Sequence, residues 1–196
     1  MSSVKKQCGT VKGIGFELTP VMIEDAEFIY QLRSNPVRAR FLNRGATTIN
    51  EQKAWILKYL AREGDFYFII HDSITLEPQG TIGIYDIDLA LRRAEWGRWL
   101  LIENSLAAVE SCRLIYRFAF ECLKLHELYC RTIKDNKAVV SFHDSCGVQN
   151  RSVLPNHFEL DSKQYDAVEH IIGRDEWPLL DCKLTRLSKG ICRSRS

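Results

Sequence analysis

No run of about 18 apolar residues occurs in this 196-residue chain, so a membrane-spanning helix is not expected. The N-terminus, Met1-Ser2-Ser3-Val4-Lys5-Lys6, has basic residues but no apolar stretch behind them, and a secretory leader needs that stretch. Charge of one sign is not in excess: 27 Lys and Arg against 25 Asp and Glu leave a net charge of +2. The basic residues are spread out except between Lys183 and Arg195, and no basic stripe with interleaved aromatics marks a nucleic-acid-binding face. The seven cysteines, Cys8, Cys112, Cys122, Cys130, Cys146, Cys182 and Cys192, include no CxxC pair. Their odd number argues against a closed disulfide framework, and the spacing of zinc ligands is missing, so no metal is expected. Cys112, Cys122 and Cys130 sit among apolar residues and read as small core side chains in a reducing, cytoplasmic setting. There is no internal repeat or low-complexity tract.

What is present is a hydrophobic fraction of 45%, enough for one well-cored domain. Residues 1–12 read as a loose lead-in. A short strand begins at Phe16 and closes at Pro20. Helical spacing of Ile23, Ala26, Ile29, Tyr30 and Leu32 predicts a helix over 23–34, ended by Asn35-Pro36. A second helix is predicted over 50–62, with Ala54, Ile56, Leu57 and Leu60 or Ala61 inward. Strands follow at 66–70, 81–88 and 95–102, forming an antiparallel meander. A long helix over 105–123 carries Val109, Cys112, Tyr116, Ala119 and Leu123 on one face. The strand at 128–133 comes after that helical crossover, so it is predicted to run parallel to 95–102. A helix opens at Asp135-Asn136 and closes at Gly147, and two more strands fill 148–172. The expected class is α/β, layered α+β, with mixed pairing in one sheet and helices on both faces.

Four strings in this order resemble the GNAT acetyltransferases: Leu32-Arg33-Ser34-Asn35-Pro36, Ala94-Glu95-Trp96-Gly97-Arg98-Trp99-Leu100, Tyr116-Arg117-Phe118-Ala119-Phe120-Glu121, and the stretch from Asp135-Asn136 to Cys146-Gly147. The similarity is to the branch of ribosomal-protein N-terminal and amino-sugar-nucleotide acetyltransferases, and it spans roughly 16–177. It implies a GNAT domain over 13–177, a tail over 178–196 and a splayed cofactor cleft. It also implies an acyltransferase using acetyl-CoA, without a metal, on a small-molecule amine. An amino sugar or nucleotide-linked amino sugar is the expected acceptor, in keeping with polysaccharide biosynthesis. A peptide N-terminus, or a non-catalytic binding protein on the same fold, is the alternative. A monomer or homodimer is expected.

The resemblance also implies roles for particular residues. Main-chain groups of Trp99, Leu100 and Leu101 would pair with the pantetheine arm, with Asn136 beside it or serving as a helix cap. Leu106, Ala107, Ala108 and Val109 would present N–H groups to the diphosphate at a helix start. The family has glycines there and this chain has none, and Glu110 brings negative charge close to the anion. Glu95 is the candidate base, and His143 the candidate acid, because a free imidazole titrates near neutral pH. Arg33, Tyr85 and Asp86 are expected toward the acceptor, with Asn35 and Arg40 nearby. Asp86 and Asp88 share a face by the two-residue repeat, and Tyr85 points to the other side.

Overall fold

A computed structural model describes residues 9–43 and 45–195, so Cys8 and residues 1–8 of the expected lead-in lie outside the described residues. The strands are β1 (Val11–Lys12), β2 (Phe16–Pro20), β3 (Phe66–Asp72), β4 (Pro78–Asp88), β5 (Arg93–Leu101), β6 (Glu127–Ile133), β7 (Arg151–Leu160) and β8 (Lys163–Gly173). They make one sheet in the order β1-β2-β3-β4-β5-β6-β8-β7. Every neighbouring pair is antiparallel except β5 and β6. The helices are α1 (Ala26–Ser34), α2 (Pro36–Ala39), α3 (Ile49–Leu60), α4 (Ala108–Arg117), α5 (Lys137–Cys146) and α6 (Trp177–Arg193).

Both faces of the sheet are covered, and β3 shows it most directly. Phe66, Phe68 and Ile70 enter the main core with α4 and α6, whereas Tyr67 and Ile69 enter a second core with α1 and α3. A strand read by alternation alone would have one wet face, but here each face meets its own layer. The parallel β5–β6 pair follows from α4 as the intervening crossover, as predicted. Gly147 closes α5 at φ 100°, a left-handed conformation that costs glycine little.

Four sequence expectations are corrected. Residues 11–12 of the lead-in pair with β2, and Val11 is buried. The inward face of α3 is Gln52, Ile56 and Tyr59, and Leu57 and Leu60 face out. The rotation has a polar cause: the Tyr59 hydroxyl accepts the Tyr67 N–H at 2.9 Å, so the ring is buried with its hydroxyl satisfied. Cys122 is exposed, while Cys112 and Cys130 are buried as expected. The segment after 177 is not a tail outside the core. It is α6, which places Trp177, Leu180 and Leu184 in the main core.

Candidate active site

β5 and β6 pair only at Arg93–Glu127, Ala94–Leu128 and Glu95–Tyr129. Beyond Glu95 they part. β6 stays paired with β8 along its whole length, and β5 stays with β4 through an irregular register. That irregularity centres on Arg98, which sits at φ 50°, a left-handed conformation seldom taken by a residue with a Cβ. The Thr81 hydroxyl donates to the Arg98 carbonyl at 2.8 Å and holds the bulge. A bulge of this kind bends its strand and re-aims the residues that follow. The β5 edge from Trp96 to Leu101 therefore faces a cavity of 1090 Å³ instead of a partner strand.

Glu95 stands at the fork. It is buried, and its Oε2 accepts from Arg131 at 3.2 Å while the Tyr85 hydroxyl lies 3.4 Å from Oε1. Loss of solvation pushes its carboxyl up to about 6, against the opposing pull of Arg131. A carboxylate held near neutrality can take a proton and give it up again in the same pH range.

His143 also lines the cavity, but in surroundings unlike those of a free histidine. The ring is 2% exposed, wedged against Trp96, Trp99, Phe142 and His170, with Nε2 3.7 Å from the Cys130 sulfur. Burial, reinforced by His170, pushes its pKa down to about 3. The imidazole is therefore neutral at physiological pH, and the argument from a free histidine fails. The sign of the linkage gives a test. The folded chain keeps His143 neutral while the unfolded chain protonates it, so stability is lost as pH falls from about 6.5 toward 3. His143→Phe is expected to flatten that loss by up to about 1.4 kcal/mol per pH unit in denaturant titrations at pH 4 to 6.5. An unchanged pH slope would refute the neutral assignment.

Of the other expected residues, Arg33, Tyr85, Trp99, Leu100, Leu101 and Asn136 line the same cavity, as does Arg40. Asn136 precedes α5 without a side-chain cap bond. Trp99 serves the core as well, its Nε1 donating to Ser111 at 3.1 Å. Asp86 does not line the cavity: it is exposed at φ 52°, in the irregular stretch between Tyr85 and Asp88. The two-residue repeat that joined Asp86 to Asp88 breaks there. Asp88 faces its own turn, accepting from the Ala90 and Leu91 N–H groups.

Leu106, Ala107, Ala108 and Val109 stand at the start of α4, outside the cavity lining. The Ser105 hydroxyl accepts the Ala107 N–H at 3.3 Å, and with no cap bond from the Ala107 side chain the N–H groups of the first turn from Ala108 onward remain for a ligand. The feared charge of Glu110 is directed elsewhere. Its carboxylate turns away, is 2% exposed and accepts the N–H groups of Ile14 and Gly15, the latter at 3.0 Å. Leu106 is 48% exposed and points to solvent rather than plugging the helix end.

Sequence reasoning missed Arg98, Arg131, Gln52 and Trp55, all of which line the cavity. Arg98 is held by Asp65 through two hydrogen bonds and lies over the rings of Trp55, Tyr67 and Tyr85 at 4.6 to 5.5 Å. Asp65 and Trp55 are distant in sequence, so no local pattern announces the cluster. Among the described residues no group of side chains suited to a metal ion is found, and no helix is long and apolar enough to cross a membrane.

Comparisons with known proteins agree with this geometry. Residues 16–149 match the family described as acetyltransferase (GNAT) domain. Apo FdhC, described as a nucleotide-linked sugar GNAT, is 27% identical, with 94% of this chain and 97% of that chain covered at a TM-score of 0.73. A GCN5-related N-acetyltransferase from Brucella melitensis is 18% identical, covering 94% and 87%, with a TM-score of 0.80. A variant of the spermidine N-acetyltransferase SpeG from Vibrio cholerae is 18% identical, covering 83% and 96%, at 0.72. No curated protein matches.

Proposed function

The chain belongs to the GNAT acetyltransferase family and is an acyltransferase; on that premise we propose that it moves an acetyl group from acetyl-CoA to an amine borne by an anionic small molecule, a nucleotide-linked amino sugar being the favoured acceptor. The observation that carries the reading is the fork of β5 and β6, with Glu95 at its base and an unpaired β5 edge along the cavity.

The residues fit the donor. The open edge at Trp99, Leu100 and Leu101 offers main-chain groups to the amide arm, as a missing strand would, and Asn136 flanks the opposite side. The first turn of α4, with Glu110 drawn away, offers N–H groups to the diphosphate. Acetyl-CoA supplies the activated thioester. Glu95 removes a proton from the acceptor's ammonium, directly or through a water, and leaves it able to attack. With His143 neutral and buried, the proton needed by the leaving sulfur comes from the attacking nitrogen. As the N–C bond forms and the C–S bond breaks, two protons leave the nitrogen: one goes to Glu95 and on to solvent, the other to the departing sulfur.

The cavity's charge supports an anionic acceptor. Among the described residues it is lined by Arg33, Arg40, Arg98 and Arg131, and by one carboxylate, Glu95. Arg98 and Arg131 are paired with acidic side chains, whereas Arg33 donates to the Asn43 carbonyl and Arg40 lies over the Phe41 ring. Among the described residues neither Arg33 nor Arg40 has a carboxylate partner, so both can meet a phosphate. The aromatic faces of Trp55, Tyr67 and Tyr85 already carry the Arg98 guanidinium, which leaves a polyamine little to bind. The sugar-nucleotide description of the FdhC structure points the same way.

The test is acetyl transfer followed by thiol release, with four amines: a nucleoside-diphosphate amino sugar, the free amino sugar, spermidine and a peptide. The first is expected to show the highest kcat/KM, and preference for spermidine or the peptide would reject the acceptor assignment. Joint replacement Arg33→Gln and Arg40→Gln is expected to raise the acceptor's KM by about 10-fold or more, at roughly 1.5–3 kcal/mol per charged hydrogen bond, with the acetyl-CoA KM unmoved.

A further inference from the structure

Three strands bring a chain of charges onto one face of the sheet. Glu95 on β5 is in register with Tyr129 on β6, and Arg131 lies two residues further along β6, on the same face. Arg131 is in turn directly opposite Glu169 on β8. The guanidinium is shared: its Nε donates to Glu169 Oε2 at 2.8 Å and its Nη1 to Glu95 Oε2 at 3.2 Å. Both carboxylates are largely buried, with side-chain exposures of 10% and 11%.

One guanidinium cannot fully compensate two buried carboxylates. The shorter bond goes to Glu169, the residue farther from the cavity, and Glu95 receives a single longer one. We propose that Glu169 is a positioning residue for the reaction: it anchors Arg131 to one side, so that Glu95 keeps the proton affinity a base requires. Glu169 is absent from the cavity lining and acts only through Arg131. Without it, Arg131 is free to turn its fork onto Glu95, and a two-bond pair of that kind holds a carboxylate ionised and occupied. The inference rests on Glu95 being the base.

The groups that face Glu95 are accounted for from each neighbouring element. β4 contributes Tyr85, with Asp86 acting from its outward position, β6 contributes Tyr129 and Arg131, with Cys130 behind them on the core face, and β8 contributes Glu169. Of these, only Arg131 brings a positive charge; Glu169 is the second carboxylate that contends for it, and the Tyr129 ring lies 4.6 Å from the guanidinium.

The experiment titrates the Glu95 carboxyl directly, by carbon-13 NMR of the full-length chain labelled at glutamate, with Glu95→Gln assigning the signal. In Glu169→Gln the Glu95 midpoint is expected to fall by about one pH unit, the low end of what an opposite charge imposes. In Arg131→Gln it is expected to rise by about one unit, and Arg131→Lys should restore part of the difference. Opposite displacements by two neighbouring substitutions are not what general loosening of the sheet would produce. Should Glu169→Gln fail to fold, the upward displacement in Arg131→Gln and its recovery in Arg131→Lys carry the test. A Glu95 midpoint that stays in place in the folded variants overturns the inference. Acetyl transfer that is undiminished in Glu95→Gln instead overturns the base assignment, so the two failures are told apart.

Discussion

Glu95→Gln is expected to lower kcat/KM by about 10²–10⁴-fold at pH 7.5, the usual contribution of a positioned proton acceptor. The amide fills the same space and can still accept a hydrogen bond from Arg131, but it cannot take the ammonium proton. Binding of acetyl-CoA, followed by calorimetry, should change little, because the proposed donor contacts lie further along β5 and at α4. The same substitution has a second consequence of opposite sign. A carboxyl raised to about 6 in the folded chain binds its proton more tightly there than when unfolded. Folding stability therefore falls as pH rises from about 4.5 to 6, and near neutrality the charge costs roughly 2 kcal/mol. Glu95→Gln should recover part of that cost, so a variant with little activity is expected to melt no lower than the parent above pH 7. Activity within threefold of the parent, at saturating acetyl-CoA, would remove Glu95 from the reaction.

A chain ending at Glu176 is expected not to fold. Trp177, Leu180 and Leu184 are 6%, 6% and 0% exposed and belong to the main core. The Trp177 ring packs 5.8 Å from Phe120 and 6.1 Å from Tyr116, and Arg113 ties α4 to Asp181 at 2.7 Å. At about 1.5–3 kcal/mol per buried side chain, these three alone supply roughly 5–9 kcal/mol. That is comparable with the whole stability of a domain, about 5–15 kcal/mol. Far-UV circular dichroism and thermal melting check the result. Leu179→Ser is the control, since Leu179 is 81% exposed and its loss should cost no more than about 0.5 kcal/mol. A truncated chain with a native melt would return 178–196 to the status of a tail.

Much of the fold was readable because it is periodic. The stripe Cys112, Tyr116, Ala119 lies on α4 and the π turn Phe118–Cys122 that follows, and all three residues are buried. Reading failed where polarity hid burial. α6 interleaves Lys183, Arg186 and Lys189 with its core leucines, so its apolar stripe is hard to see in a segment expected to be a tail. α3 turned toward Gln52 and Tyr59, and the Tyr59 ring can be buried because its hydroxyl is satisfied by the Tyr67 backbone. In the site, Arg33, Tyr85, Glu95 and His143 do meet in one cavity with Trp99 to Leu101 and Asn136. The Leu106–Val109 segment lies apart from its lining, and Asp86 turned outward at a break in the strand repeat.

What the amino-acid sequence determined by itself was the kind and order of the main elements from β2 to β8, the parallel sense of β5 and β6, and the residue types near the cleft. These depend on spacing along one segment, or on the length of the connection between two. The tertiary structure alone decided where β5 and β6 part, that His143 is dry and neutral, that Glu110 turns to Ile14 and Gly15, and that Arg131 is divided between Glu95 and Glu169. Each of those outcomes is set by solvation and by charges brought together from strands far apart in the chain, and no local pattern encodes a distance.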